Sequence, residues 1–459
     1  MMGRMPPKPA GVAPARRCAY TVLRRVFERG AYADEAFQAE SRELDARDRA
    51  LAMRLAYGAV QRRATLDHLI ERLAERPAAK LDPSVVAALR LGLYELAYLS
   101  GAPDYAVVAD AVELAKANGR GHGLVNAVLR RAGREGPAAL LAGLTEDTPG
   151  HAALMHSHPE WIAALWWREL GPGGARALMA ADNEQGEVAL RANTLLSDAA
   201  TLAASLPVRT HGDPAIPEAL VLEEPFDVHG SPLWREGAFI AQSRAAMLVA
   251  RALGPRTGER VLDLCAAPGG KSTHLAALME GGGEVLAVER DRRRAGALAR
   301  TAERLRAPNV RVEVADAERP RPEGPVFDRV LVDPPCSGLG TLQAHPDLRW
   351  RVSPENVREM AAAQARILAA GAGALRPGGV LVYATCTISP TENERLIAAF
   401  LDSHPDFGID DLAAELPAYG PPATATAGAE PCAQPPGAVL TLPHRDHTAG
   451  FFIARMRRS

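Results

Sequence analysis

The chain is 459 residues long, with 53 Lys+Arg against 55 Asp+Glu and 47% hydrophobic residues, a length that accommodates two to four domains. No apolar run is long enough to span a bilayer, so no membrane partner is expected. The five cysteines (Cys18, Cys265, Cys336, Cys386 and Cys432) are odd in number and show no C-x-x-C spacing, which fits a reducing, cytoplasmic setting better than a disulfide framework.

Residues 1–15, with Arg4, Lys8 and several prolines, lack the apolar centre of a signal peptide and read as a loose basic tail. Residues 16–136 read as an all-α bundle. Ala19, Val22, Leu23, Val26 and Phe27 recur on one helical face, and Leu51, Leu55 and Val60 suggest a second helix. Val85, Val86, Leu89, Leu93, Leu96 and Ala97 give a third stripe; Val107, Val108, Ala111, Val112 and Ala115 give a fourth. Breaks at Pro77, Asp82-Pro83, Gly101 and Gly119 separate them. Such stripes describe packing and say nothing of function. The charge does more: residues 1–136 hold 22 Lys+Arg against 16 Asp+Glu, and the remainder 31 against 39. A basic front end points to a polyanion, and Arg24-Arg25, Arg62-Arg63 and Arg130-Arg131 are candidate phosphate contacts. A solvated helical surface accounts for the same charge.

Residues 137–150 form a Gly/Pro/Ala linker, and 151–236 a small α+β module with strand candidates VALRANTL and ALVLEE. His151, His156 and His158 have no Cys or acid at ligand spacing, so no metal is expected. Trp161, Trp166 and Trp167 read as packing; exposed, they would stack on bases. The last region, 237–459, opens with a helix candidate, FIAQSRAAMLVARAL. From residue 258 strand and helix patterns alternate, as in a doubly wound sheet. VLDLC, EVLAVE, VRVEVA, RVLVD and GVLVYAT are apolar throughout, as strands covered on both faces are. Arg292-Arg293-Arg294 reads as a solvated helix start. Residues 419–437, which contain Cys432, read as a loop, and AVLTLP with GFFIARM as a closing hairpin. The fold class is thus multi-domain: an N-terminal all-α bundle, a small α+β middle module and a C-terminal α/β Rossmann-like domain.

That last region is built around VLDLCAAPGGKSTHLA, residues 261–276. An apolar strand runs into a loop with almost no side chain and then into a helix. Gly269 and Gly270 let backbone lie against a ligand, and the helix start aims unpaired N–H groups at it. The loop is neither G-x-G-x-x-G nor G-x-x-x-x-G-K-[ST], so NAD and ATP lose their fingerprints. Glu289, Asp316 and Asp333 end the next strand patterns. Acids repeating at strand ends describe a class I S-adenosylmethionine pocket better than a dehydrogenase, with Cys265, Ala266, Ala267, Pro268, Gly269, Gly270, Lys271, Glu289, Asp316 and Asp333 as candidate cofactor residues.

Two further strand ends carry cysteines: DPPCSG with Asp333 and Cys336, and YATCTISPTENE with Cys386. The carboxyl edge of a parallel sheet is its functional edge, so both thiols should converge near the cofactor. A buried cysteine is usually inert packing, but two at strand ends beside a carboxylate and a methyl-donor loop suggest chemistry. Carbon-5 of cytosine is a poor nucleophile toward a sulfonium methyl until a thiolate adds at carbon-6. An ordinary cysteine is only about 3% thiolate at neutral pH, so such a site must favour the thiolate. An acid at the N3/N4 edge absorbs developing charge, and a base then takes the carbon-5 proton. Cys386, Asp333 and Cys336 match nucleophile, acid and release group.

The blocks LDLCAAPGGK, VDPPCSGLG with HPDLRW, and ATCTISPTENE resemble the RsmB (Fmu/Sun) type of RNA cytosine-5 methyltransferase. The helical front, including RDRALAMRLAYGAVQRRATLDHLI and GLYELAYLSGAPDYAVVADAVELAK, is similar to the NusB-like RNA-binding domain joined to that enzyme. The resemblance covers about residues 16–135 and 155–457. It implies a class I methyltransferase using S-adenosyl-L-methionine, with Cys386 as nucleophile and Cys336 assisting product release. It also implies one cytosine of 16S rRNA as substrate; the expected partner is RNA and not DNA, and the enzyme is expected to be a monomer. Glu289 stands where the family often has Asp, and His447-Thr448-Ala449-Gly450 replaces a usual Asp-Gly. The alternatives are the same chemistry on tRNA, an RNA-binding assembly factor with an inert methyltransferase domain, and a small-molecule methyltransferase, which the basic helical domain disfavours.

Overall fold

The computed structural model describes residues 11–117, 121–419 and 437–459. Arg4, Lys8, Gly119 and Cys432 lie outside the described residues. The chain divides into two compact units, Met1–Glu184 with Leu342–Arg351, and Gln185–Thr341 with Val352–Ser459. Helices that the sequence grouped with the 151–236 module therefore fall in the first unit.

The first unit is helical: α1 (Pro14–Arg29), α2 (Ala33–Glu40), α3 (Ala46–Gln61), α4 (Arg63–Ala74), α5 (Pro83–Tyr98), α6 (Asp104–Lys116), α7 (His122–Leu141), α8 (Pro149–Met155) and α9 (Glu160–Ala181). α5 is buried continuously from Ser84 to Ala97, which makes it the axis of the bundle. Asp82 caps it by accepting from Ser84 N at 2.8 Å, with Pro83 at the first helical position. A Cβ on Gly58 of α3 would lie 2.0 Å from the Tyr94 ring, so only glycine lets that ring sit against α3. A break at Gly171 and Pro172 divides α9.

Residues 342–351 thread into this unit. Trp350 Nε1 donates to the carbonyl of Val60 at 2.7 Å. Arg349, fully buried, donates to the carbonyls of Ser157 (3.1 Å) and Asp182 (3.1 Å) and to Asn183 Oδ1 (3.0 Å). The paired arginines are largely neutralised internally: Arg24 with Glu28 (2.6 Å), Arg25 with Glu40 (2.9 Å), Arg63 with Asp67 (3.7 Å) and Arg131 with Glu135 (3.3 Å). Trp166 is fully buried, as packing requires.

The second unit contains two sheets. The smaller has β1 (Ala189–Ala192), β2 (Thr210–Asp213), β3 (Ile216–Leu222) and β4 (Phe239–Ala241) in the order β2-β3-β1-β4, with antiparallel pairing throughout. Helices α10 (Ala199–Ser205) and α11 (Pro232–Arg235) accompany it. The stretch FIAQSRAAMLVARAL corrects a sequence expectation: Phe239–Ala241 is a strand, and α12 (Arg244–Leu253) begins only after Ser243, whose hydroxyl caps it. Pairing with Arg191 and Ala192 outweighs the helical pattern there.

The larger sheet comprises β5 (Arg260–Leu264), β6 (Glu284–Val288), β7 (Val310–Glu313), β8 (Phe327–Val332), β9 (Leu375–Thr385), β10 (Phe407–Ile409), β11 (Val439–Leu440) and β12 (Phe452–Arg458). Its order is β10-β12-β9-β8-β5-β6-β7, with β11 on β12. β9, β8, β5, β6 and β7 are parallel, and β12 returns antiparallel on β9. The connecting helices are α13 (Gly270–Leu278), α14 (Arg292–Arg304), α15 (Pro354–Ala374) and α16 (Glu394–Ser403), followed by the short α17 (Leu412–Glu415) and α18 (Pro443–Asp446). Leu248 and Leu253 of α12 share one apolar core with Val261, Leu275, Leu331, Val382 and Ile453.

Asp263, in the middle of β5, is fully buried and accepts from Ser272 Oγ at 2.6 Å, while its other oxygen has no partner among the described residues. Burial pushes its pKa up to about 7, with the charge of Asp333 adding to the rise. The native state therefore holds this proton where the unfolded chain, at about 3.9, has lost it. The stability contribution is complete below pH 4 and declines by about 1.4 kcal/mol per pH unit up to about pH 7. Asp263→Asn removes that dependence. Melting curves at pH 5.5 and pH 8 should show a smaller loss of Tm in the variant than in the parent; equal losses would contradict the buried proton.

Candidate active site

Strand register builds the site. Leu264 of β5 pairs with Val288 of β6 and with Val332 of β8, and Val332 pairs with Tyr383 of β9. The residues that follow, Cys265, Glu289 and Asp333, thus share one carboxyl edge, and Cys386 follows the end of β9 on the same edge. The strand order reverses between β5 and β8, and that is where open α/β sheets bind ligands. Asp316 is set further out: it lies three residues beyond the end of β7, on an exposed loop.

Residues 265–271 form the turn between β5 and α13. Cys265 sits in the left-handed region at φ 65°, and burial pushes its thiol up to about 12. It stays protonated, which argues against a nucleophilic role. Gly269, at φ 101°, occupies the N-cap of α13 with no side chain capping the helix. An uncapped helix start, a loop of Ala, Pro and Gly, and a buried carboxylate at the end of the next strand form a donor and acceptor set that fits an adenosine-containing cofactor. Glu289 is 3% exposed and accepts from Asp291 N at 2.9 Å. Arg294, expected to be merely solvated, reaches the carbonyl of Ala267 at 3.1 Å and Glu289 at 3.5 Å.

Lys271 Nζ bonds Asp333 Oδ2 at 2.7 Å and lies 5.2 Å from the centre of the Phe451 ring. Burial acts to lower the Lys271 pKa, but the charge of Asp333, its hydrogen bond and negative charge on Cys386 raise it. By reciprocity the ammonium favours negative charge on the Cys386 sulfur. The two thiols are 3.3 Å apart, Cys336 Sγ to Cys386 Sγ. The Cys336 thiol is pushed well above its ordinary pKa, first by the hydrogen bond to Cys386 and then by burial. Cys336 is therefore the proton holder of the pair.

A polar clamp that the sequence reading left unassigned holds the two cysteine loops together. Glu392 is fully buried. Its Oε1 accepts from Ser337 N (2.8 Å) and Gln364 Nε2 (3.0 Å), and its Oε2 accepts from Ser337 Oγ (2.5 Å). Ser337 Oγ also meets Thr387 Oγ1 at 2.6 Å, and Gln364 donates to the carbonyl of Pro335 at 2.8 Å. One carboxylate thus braces the neighbours of both Cys336 and Cys386. Gly340 N donates to the Cys386 carbonyl at 3.0 Å, and Gly450 N to the Gly340 carbonyl at 2.7 Å. A Cβ on Gly340 would lie 2.0 Å from the Gly450 oxygen. The 447–450 departure therefore leaves a glycine where the two loops touch. The only sequence signal for Glu392 is its place in TENE; nothing in composition marks an acid as buried.

Among the described residues no group of three or more His, Cys, Asp and Glu is arranged to hold a metal. His151 meets Asp147 at 2.8 Å, His156 meets Glu146 at 2.7 Å, and His158 meets Asp182 at 3.3 Å.

Family models match along the chain: the NusB family at 13–134, the RsmF/B-like ferredoxin-like domain at 158–229, and 16S rRNA methyltransferase RsmB/F at 250–457. The chain is 36% identical over 457 residues to a probable ribosomal RNA small subunit methyltransferase B of Synechocystis, covering 97% of this chain and 99% of that one. It is 35% identical over 430 residues to its Bacillus subtilis namesake, covering 91% and 92%. Among solved structures it is similar to PH0851, with a TM-score of 0.76 and 25% identity over 98% of this chain and 100% of that one. A methyltransferase homolog from Pyrococcus horikoshii gives 0.59 and 28%, over 69% of this chain and 100% of that one. The expected helical RNA-binding front, small middle domain and Rossmann-like methyltransferase domain are all present, and the chain belongs to the RsmB/F family of S-adenosylmethionine-dependent 16S rRNA methyltransferases.

Proposed function

We propose that the protein methylates carbon-5 of one cytosine in 16S rRNA through a transient bond between Cys386 and the base. The observation that carries this reading is the pair of thiols 3.3 Å apart beside the Lys271–Asp333 ion pair. Residues 265–271, Glu289, Asp316 and Asp333 are assigned to S-adenosyl-L-methionine, which supplies an electrophilic methyl group when bound. The target base has to leave its stack to reach a buried sheet edge, at a cost of a few kcal/mol.

The Cys386 sulfur, favoured as thiolate by Lys271 and by the thiol proton of Cys336, forms a bond to carbon-6. The displaced electron pair moves toward N3, where the Lys271–Asp333 pair supplies a hydrogen bond to the N3/N4 edge. Carbon-5 then carries the electron density that accepts a methyl. Once Cys386 is bonded to carbon, the contact that most raises the Cys336 pKa is gone. Cys336 is then free to give up its own proton and take the one on carbon-5. The carbon–sulfur bond breaks as the ring double bond returns. Cys386 leaves as the thiolate that began the cycle, Cys336 has its thiol back with the carbon-5 proton, and the proton it gave up passes to solvent as the net proton of the reaction.

Cys386→Ala should lower turnover by about a thousandfold or more, measured as methyl transfer from labelled cofactor to 16S rRNA; repeated turnover at near-parental rate would rule the sulfur out. Cys336→Ala should instead accumulate a protein–RNA adduct, visible as a band stable to denaturing gel electrophoresis. Clean release of product from that variant at the normal rate would remove its assignment. Mapping the labelled position on rRNA and on tRNA decides between the two substrates.

Glu392→Gln places an amide donor against Ser337 N–H or Gln364 NH₂, a loss of about 1–3 kcal/mol. It should lower kcat while leaving the affinity for S-adenosylhomocysteine within about twofold, since its partners lie on the cysteine loops and not on residues 265–271. Unchanged kcat would show that the clamp does not set the thiol geometry.

A further inference from the structure

The middle sheet places one side chain under the cofactor loop. Arg191, on β1, is 1% exposed. Its NH1 donates to the carbonyl of Gly270 (2.5 Å) and to Gln242 Oε1 (2.6 Å), and its NH2 to Thr273 Oγ1 (2.9 Å). Thr273 Oγ1 in turn donates to the carbonyl of Gly269 at 2.7 Å. One guanidinium therefore grips the first turn of α13 from below, and all its direct partners are neutral. Burial pushes its pKa down to about 9 and the charge of Glu218 opposes the shift, so it remains a cation at neutral pH.

A buried cation with neutral partners is costly, so the fold retains it at a loss in solvation. The neighbouring β3 makes a second contact with α13, in which Glu218 accepts from His274 Nε2 at 2.5 Å and pairs with Arg251 of α12. Burial pushes His274 down to about 4, so it is a neutral donor there. Two residues on from Arg191, just past the end of β1, Asn193 serves a different element: it donates to the carbonyls of Gly237 and Leu305 at 2.9 and 2.8 Å, at the end of α14. Arg191 is thus addressed to the turn carrying Gly269 to Lys271, and Asn193 is not.

We propose that Arg191 is a positioning residue for the cofactor: by fixing the carbonyl of Gly270 and the hydroxyl of Thr273, it holds the helix start with its free N–H groups directed toward the bound methyl donor. This rests on the assignment of residues 265–271 to that donor. The middle domain, on this view, is part of the cofactor site.

The test is calorimetric titration of the full-length chain with S-adenosylhomocysteine, alongside steady-state kinetics. Arg191→Met should weaken binding by about tenfold or more, with Arg191→Lys recovering part of the loss. In both variants kcat at saturating cofactor and the KM for RNA should stay within about threefold of the parent. Thr273→Val, a smaller change that keeps the fold if Arg191→Met does not, should weaken binding in the same direction. Asn193→Ala should lower Tm yet leave the affinity within about twofold, which separates a grip on the cofactor loop from general destabilisation. Lower Tm with parental affinity in Arg191→Met, or parental affinity in Thr273→Val, overturns the proposal. Failure of the parent protein to bind S-adenosylhomocysteine would instead overturn the cofactor assignment itself, and this proposal with it.

Discussion

The parallel alignment of β5, β6, β8 and β9 is the constraint on which the rest of the site depends. Pairing of Leu264 with Val288 and Val332, and of Val332 with Tyr383, leaves no freedom in which residues emerge at the carboxyl edge. A slip of one residue would turn every side chain on a strand to the opposite face. The strands are buried on both faces, so the apolar core resists such a slip. Chemistry is then placed by chain continuation alone: Cys265, Glu289, Asp333 and Cys386 are what come next.

Register delivers the groups to one edge, but hydrogen bonds set their mutual distances. The loops after β8 and β9 have no ladder to hold them. Glu392 supplies the missing restraint by joining Ser337, Thr387 and Gln364 around a single buried carboxylate. Gly340 adds a backbone link to the Cys386 carbonyl. A network whose members are all satisfied is rigid, and this one frames two sulfurs held 3.3 Å apart. The Lys271–Asp333 pair contributes differently: its ammonium lies close enough to bias the charge state of one sulfur rather than its position.

Much of this was legible in the sequence. The apolar strands, the glycine turn and the two cysteine blocks have short-range signatures, and the structure brings Cys265, Lys271, Glu289, Asp333, Cys336 and Cys386 to one edge. Asp316 is less intimately placed, because β7 ends at Glu313 and the chain runs on before reaching it. What the sequence did not disclose is polar and long-range. Glu392, Gln364 and Arg191 carry no local signal that marks a polar residue as buried. β4 was hidden because FIAQSRAAMLVARAL carries a helical period that continues across the strand, and only pairing with β1 distinguishes the two. The arginine doublets illustrate the converse: they stand out in the sequence, yet Arg24, Arg25, Arg63 and Arg131 each have a carboxylate of the same bundle beside them.

The segment Leu342–Arg351 bears on how such an enzyme came to be assembled. The helical unit keeps Trp350 against the Val60 carbonyl, and Arg349 against the carbonyls of Ser157 and Asp182. A version ending at Glu184 would strip those carbonyls of their Trp350 and Arg349 donors and open them to water. Tail-to-head fusion of two self-sufficient modules does not describe this architecture. Ten residues from the far half of the polypeptide complete the packing of the helical unit, so carrying that unit intact to another catalytic partner means carrying this internal segment along with it.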